Sequence, residues 1–261
     1  VYVEPFDSGV WAKGIEMIFS QEHRFEACLV NGTGNGTAVG KSAGATGTSS
    51  TAMGSGALAR GSLSTAIGAS SLTGTGTENT AIGNQSVAGT GSTASNTAIG
   101  VLASATGGLD VAVGAQSLAG TGGSNTVVGF GAATSVGNTA NNVTIGANSV
   151  ARGGFTVNVG AFSNVSGARS MAVGYGNTVS HADNLVIGNQ LTSVAANQIL
   201  IGSGNTNFTT AYIGRGPTHT GAAQSFGFHT TDGTGTDVAG DNMLIYGGQP
   251  TGSGTPGIIA L

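Results

Sequence analysis

At 261 residues, with 49 glycines and only 7% charged side chains, the chain lies far from the composition of an ordinary enzyme core. A net charge of −4 provides no basic stripe for nucleic acid, and the single cysteine, Cys28, excludes an internal disulfide. Regularly placed Val, Ile and Leu argue against disorder, four prolines without a glycine at every third position argue against collagen, and no apolar run reaches the roughly 18 residues of a spanning helix.

The first thirty positions hold seven charged residues (Glu4, Asp7, Lys13, Glu16, Glu22, Arg24, Glu26) together with Trp11, Phe19 and Phe25. Residues 1–36 therefore read as a capping or connecting segment, bulky enough to cover the end of a repeat array. From residue 37 a different pattern takes over. Thirteen glycines follow directly on an apolar residue, at 40, 54, 68, 83, 100, 114, 129, 146, 160, 174, 188, 202 and 214, at intervals of mostly 14 residues. A short fixed period means one small unit stacked on itself, so 37–214 is expected to be a β-solenoid of about 14 residues per coil.

Within each repeat, Asn79-Thr80-Ala81-Ile82-Gly83 shows the logic: a turn-forming residue opens a short strand and glycine closes it at a corner. The residue before glycine is always apolar (Val39, Met53, Ile67, Ile82 and onward), and the residue three before it is Thr or aliphatic. These two columns share a face and are expected to line the coil interior. The column between them is mostly alanine and is expected to point outward. Left bare, it would form a long apolar stripe, which closed symmetric association would hide. Ala38, Ala52, Ala66, Ala81, Ala98, Ala112 and Ala172 are therefore the expected contacts of a homo-oligomer.

Four residues after glycine, Leu58, Leu72, Val87, Leu118 and Val150 mark a second strand with one buried face, flanked by Ser71, Ser86, Ser117 and Ser149. The long intervals after Gly68, Gly83, Gly114 and Gly129 place inserted residues at roughly 73–78, 88–95, 119–124 and 134–141. Near Gly146 the Thr column turns aliphatic, which predicts tighter packing toward the C-terminal half. Residues 215–261 lose the period and read as a Gly/Thr-rich segment leading to a further fibre domain.

The stretch Thr51-Ala52-Met53-Gly54-Ser55-Gly56-Ala57-Leu58-Ala59-Arg60-Gly61, continuing through Ser64-Thr65-Ala66-Ile67-Gly68, resembles the head repeats of YadA-like trimeric autotransporter adhesins. Similar repeats occur in bacteriophage tail fibres. The resemblance spans roughly 37–214 and implies an all-β, left-handed parallel β-roll in a homotrimeric fibre. The adhesins' neck motif, heptad stalk and membrane-anchor strands have no counterpart here. Asp241-Asn242-Met243-Leu244-Ile245-Tyr246-Gly247-Gly248 is similar to Gly-rich stretches of phage fibres. The expected role is thus a non-enzymatic tail-fibre shaft on the virion surface, serving host-cell recognition. The alternative is an adhesin head on the bacterial cell surface, binding host matrix. A host receptor, glycan or protein, is expected to meet terminal or adjacent segments, with no cofactor, nucleic acid or membrane insertion.

Candidate chemistry is sparse. A hexapeptide acyltransferase would need an eighteen-residue coil and a histidine with a placed partner, and the four histidines here follow no such period. His181 and Asp183 have metal-ligand chemistry but no second ligand pair at matching spacing. Asp232-Gly233-Thr234-Gly235-Thr236-Asp237 is similar to one calcium-binding Gly-rich repeat, and it occurs once, so a turn is the expected reading. Thr51, Thr65, Thr80 and Thr97 form a ladder of the kind used by ice-binding solenoids, but their expected position is the interior.

Overall fold

The computed structural model describes residues 35–134 and 140–204. The chain divides into two compact units, Val1–Phe208 and Thr209–Leu261, and every described residue belongs to the first. The repeat containing Gly214, the 215–261 segment and nearly all of 1–36 lie outside the described residues, as do Asp232–Asp237 and the fibre-like stretch after Asp241.

Among the described residues every regular element is a β-strand. Each repeat contributes a strand of three to five residues, from Thr37–Val39 in the first to Ile199–Ser203 in the last, and nearly every repeat adds a two-residue strand such as Leu58–Ala59 or Thr178–Val179. The longer strands pair in parallel in sequence order into a twelve-stranded sheet, and the shorter ones into a facing ten-stranded sheet. This is a β-solenoid of about twelve turns. At about 4.8 Å per step the stack is on the order of 50 Å tall.

Register follows the repeat column by column: Thr51 lies against Thr65, Ala52 against Ala66, and Met53 against Ile67. Where 15 or 17 residues separate the glycines, the register still holds, as between Ile82 and Ile99. The extra residues are absorbed at one corner, between each two-residue strand and the next longer strand, where the long intervals place them.

The faces are reversed relative to the sequence expectation. The middle column, Ala38, Ala52, Ala66, Ala81, Ala98, Ala112 and Ala172, points into the coil and is buried in a single chain, from 8% exposed at Ala38 to 0% at the others. It is joined from the second sheet by Ala45, Ala59, Ala88, Ala105, Ala119 and Ala151. The residues before and three before each glycine face outward, as do Leu58, Leu72, Val87, Leu118 and Val150. The alanines are therefore core rather than contact surface. A coil with only three and two residues per side encloses a narrow space, which alanine methyl groups fill in most coils and Val127, Val165, Val179 and Val186 in the others. Because side chains alternate, that choice turns every bulky column to the outside. The Thr-to-aliphatic change near Gly146 accordingly alters the outer face, and the tighter C-terminal interior expected from it is not its consequence.

The interior also carries a polar ladder. The residue opening most of the longer strands is buried, and in most coils its side chain accepts a hydrogen bond from the backbone N–H of its counterpart one coil on. Ser64 Oγ accepts from Asn79 at 3.1 Å, Asn79 Oδ1 from Asn96 at 3.0 Å, Asn96 Oδ1 from Asp110 at 3.2 Å, and Asn125 Oδ1 from Asn142 at 3.1 Å. At the opposite corner the hydroxyls of Ser71, Ser86, Ser117 and Ser149 donate to the carbonyls of Gly68, Gly83, Gly114 and Gly146. These contacts satisfy buried backbone groups that no strand pairs. Thr144 and Asn158 interrupt the alanine column, and Thr144 Oγ1 and Asn158 Oδ1 are buried without a hydrogen-bond partner. Asn158 Nδ2 meanwhile donates across the coil to Val150 and Ser163 carbonyls, both at 2.9 Å.

Candidate assembly surface

With the alanines enclosed, the apolar surface of the solenoid is the outer face of the twelve-stranded sheet. Its first column runs Val39, Met53, Ile67, Ile82, Ile99, Val113, Val128, Ile145, Val159, Val173, Ile187 and Ile201, each in register with the next. Several members are well exposed, including Met53 at 43% and Ile145 at 41%. Two residues earlier a parallel column begins as Thr37, Thr51, Thr65, Thr80 and Thr97, and ends as Val143, Val157, Met171, Leu185 and Ile199. The threonines are thus displayed and not buried, contrary to expectation. Their ladder is broken by Val111 and turns aliphatic from Val143, and each threonine sits beside an aliphatic residue, so the face is apolar along its whole height.

Two corners flank this face. Each corner has a residue in the left-handed backbone region, which favours Gly, Asn and other small polar residues. Most coils comply, with Ser42, Ser49, Ser95, Ser124, Asn141 and Asn148. Others hold bulky residues there: Leu63 (φ 55°), Leu102 (φ 59°), Leu109 (φ 58°), Phe155 (φ 54°) and Phe162 (φ 58°). All five are exposed, Phe155 most of all at 68%. Phe162 packs edge-on against Tyr175 of the next coil, with ring centroids 5.6 Å apart. The sequence contained this signal as Phe130, Phe155, Phe162 and Tyr175, the four aromatics between residues 37 and 207, but without knowing which columns are corners it could not be read.

Several polar groups on the surface are mutually engaged. Arg169 and Asp183, on adjacent coils of one corner, form a two-pronged ion pair at 2.7 and 2.8 Å. The hydrogen bonds to Arg169 hold the Asp183 carboxyl below the usual range. His181 Nδ1 lies 3.1 Å from Ser180 Oγ and 3.3 Å from Ser193 Oγ. The pair His181 and Asp183 is therefore split between different partners and does not converge. Among the described residues no group of three His, Cys, Asp or Glu side chains could hold a metal. Inside the coil, Asp110 takes a place in the polar ladder that Asn79, Asn96, Asn125 and Asn142 fill elsewhere. Its carboxylate accepts from the N–H groups of Gly107 (2.7 Å) and Asn125 (2.8 Å), yet burial dominates and pushes its carboxyl up.

Comparison with known protein families gives no matching family, and no curated protein matches the chain. The solenoid and its outer face thus define the class of molecule, a stacked β-repeat protein with one apolar side exposed in the single chain.

Proposed function

We propose that the chain is a non-enzymatic structural and attachment protein, the shaft of a trimeric bacteriophage tail fibre that carries a host-recognition element away from the particle. The observation that carries this reading is the twelve-step aliphatic column on the outer face of the longer sheet, in register from Val39 to Ile201. A flat apolar stripe of that height exceeds what soluble monomers usually expose. Three copies standing side by side, each turning this face to a common axis, bury it completely. The resemblance of the repeats to adhesin heads and phage fibres supports three as the number and a left-handed coil. Backbone hydrogen bonds along the stack resist extension and bending, which is the mechanical requirement of a spacer. Receptor contact, with a glycan or protein of the host surface, belongs in this reading to terminal or adjacent segments.

The threefold assembly is tested by sedimentation equilibrium of the full chain at micromolar concentration. A mass three times that of the chain is expected, and a well-folded monomer overturns it. Antibodies raised against the chain then separate the two hosts. Labelling of fibres on virions together with blocked adsorption is expected, whereas labelling of bacterial outer surfaces identifies the alternative, a trimeric adhesin head.

A further inference from the structure

We propose that, in the threefold assembly, Phe162 of one protomer packs against Phe155 of the next, closing the ring through an aromatic contact at a single coil. This rests on the trimer reading above and specifies which residues meet.

The argument begins with the two strand ends. Phe155 occupies the corner just before the strand Val157–Val159, and Phe162 the corner just after it, so one coil carries an aromatic at each side of its outer face. Both sit at left-handed backbone positions where no other described coil places an aromatic residue, and they are 68% and 56% exposed. A bulky residue there is disfavoured by backbone strain and again by its bare apolar surface. Such a pairing of unfavourable choices at both ends of one strand is relieved if the two side chains cover each other. Within one chain they stand at opposite ends of the strand Val157–Val159, and the ring Phe162 packs against is that of Tyr175.

Symmetry supplies the contact. When three identical rods share an axis parallel to the stack, strands at equal height circulate in one direction. The end of each strand then meets the start of the next protomer's strand, a heterologous contact that closes after three steps. Equal height pairs residues of the same coil, which puts Phe162 opposite Phe155. Tyr175 buttresses Phe162 from the coil beyond, at 5.6 Å between centroids. Tyr175 itself ends the strand Met171–Tyr175, whose opening corner is Arg169. The same rule therefore sets Tyr175 over the guanidinium of Arg169 in the next protomer, a cation–π pairing.

The test uses the full chain in a Cys28→Ser background with Phe155→Cys and Phe162→Cys, together and singly. Under mild oxidation the double variant is expected to give covalent dimers and closed trimers on a denaturing gel, and neither single variant a cross-link. A disulfide needs Cα atoms within about 7 Å, so only residues in direct apposition join. Sedimentation of the same samples distinguishes the failures. A trimer whose double variant stays uncross-linked overturns the Phe155–Phe162 contact and leaves the assembly standing. A cross-link in a single variant means a twofold arrangement and overturns the contact, while a monomer overturns the trimer itself. If the cysteine variants lose their β-sheet signal, Phe155→Trp in a Trp11→Phe background decides. Blue-shifted emission is expected, and the emission of water-exposed indole in an assembled protein overturns the contact.

Discussion

At the residue scale, the closing glycine of every described repeat from Gly40 to Gly188 is fixed by two independent constraints. Gly129 has φ +143°, a conformation L side chains rarely adopt, and a Cβ there would lie 2.6 Å from the carbonyl oxygen of Gly146 on the next coil. Gly129→Ala is therefore expected to destabilise the solenoid by roughly 2–3 kcal/mol, read as a fall in denaturation midpoint. An unchanged midpoint would show that the corner can open without disturbing its neighbour. Asp110 carries a different liability. Burial raises its carboxyl pKa in the fold, so its contribution to stability is fully present below the unfolded value and is lost as pH rises through the folded one. The melting temperature of the native chain minus that of Asp110→Asn is expected to fall between mildly acidic and neutral pH. A difference independent of pH would mean that the hydrogen bonds from Gly107 and Asn125 balance burial, and one that rises with pH that they outweigh it. The Arg169–Asp183 pair is exposed and slopes the other way, but it is common to both proteins and cancels in the difference.

At the element scale, the adjacent residues Ala98 and Ile99 test which side of a strand is the inside. Ala98 is fully buried among alanines of both sheets, while Ile99 is 38% exposed. Ala98→Leu is expected to overpack the coil and lower stability by about 1–3 kcal/mol. Ile99→Ser is expected to keep the melting behaviour of the isolated coil close to native while weakening association, measured by sedimentation over a dilution series. The opposite ranking would restore the inward assignment of the aliphatic columns. The polar ladder belongs at this scale as well. Its members are weak helix and strand formers individually, but stacked one coil apart each satisfies the next coil's backbone N–H, so the ladder stabilises the register rather than any single strand.

At the scale of the whole molecule, the apolar face is the feature the isolated chain leaves unresolved by its own packing. A charge set into the centre of that face is incompatible with burial at a shared axis, because an unpaired ammonium in an apolar interface is strongly disfavoured. Ile82→Lys together with Ile145→Lys, both pointing outward from coils whose interiors they do not touch, is expected to yield folded monomers. Circular dichroism checks the β-structure and sedimentation the mass. Retained assembly in the doubly charged variant would move the interface to another face of the rod.

The period of 14, the strand positions, the corner glycines and the location of the insertions at one corner were legible in the sequence, because each follows from local chemistry: glycine where only glycine fits, Asn or Ser where a turn opens, and aliphatic residues in strands. The direction each face points was not legible. Alternation states that the alanines and the aliphatics lie on opposite sides, but assigning one side to the interior requires the width of the coil, and that width exists only once two strands close on each other. For the same reason Phe155, Phe162, Leu63 and Leu109 read merely as scattered apolar residues until the corners were placed in space. Local chemistry alone specifies a stacked β-repeat with a long apolar stripe. Which residues form that stripe depends on the closed coil, whose interior takes methyl groups, small polar side chains and a few valines and leaves most of the larger aliphatics outside.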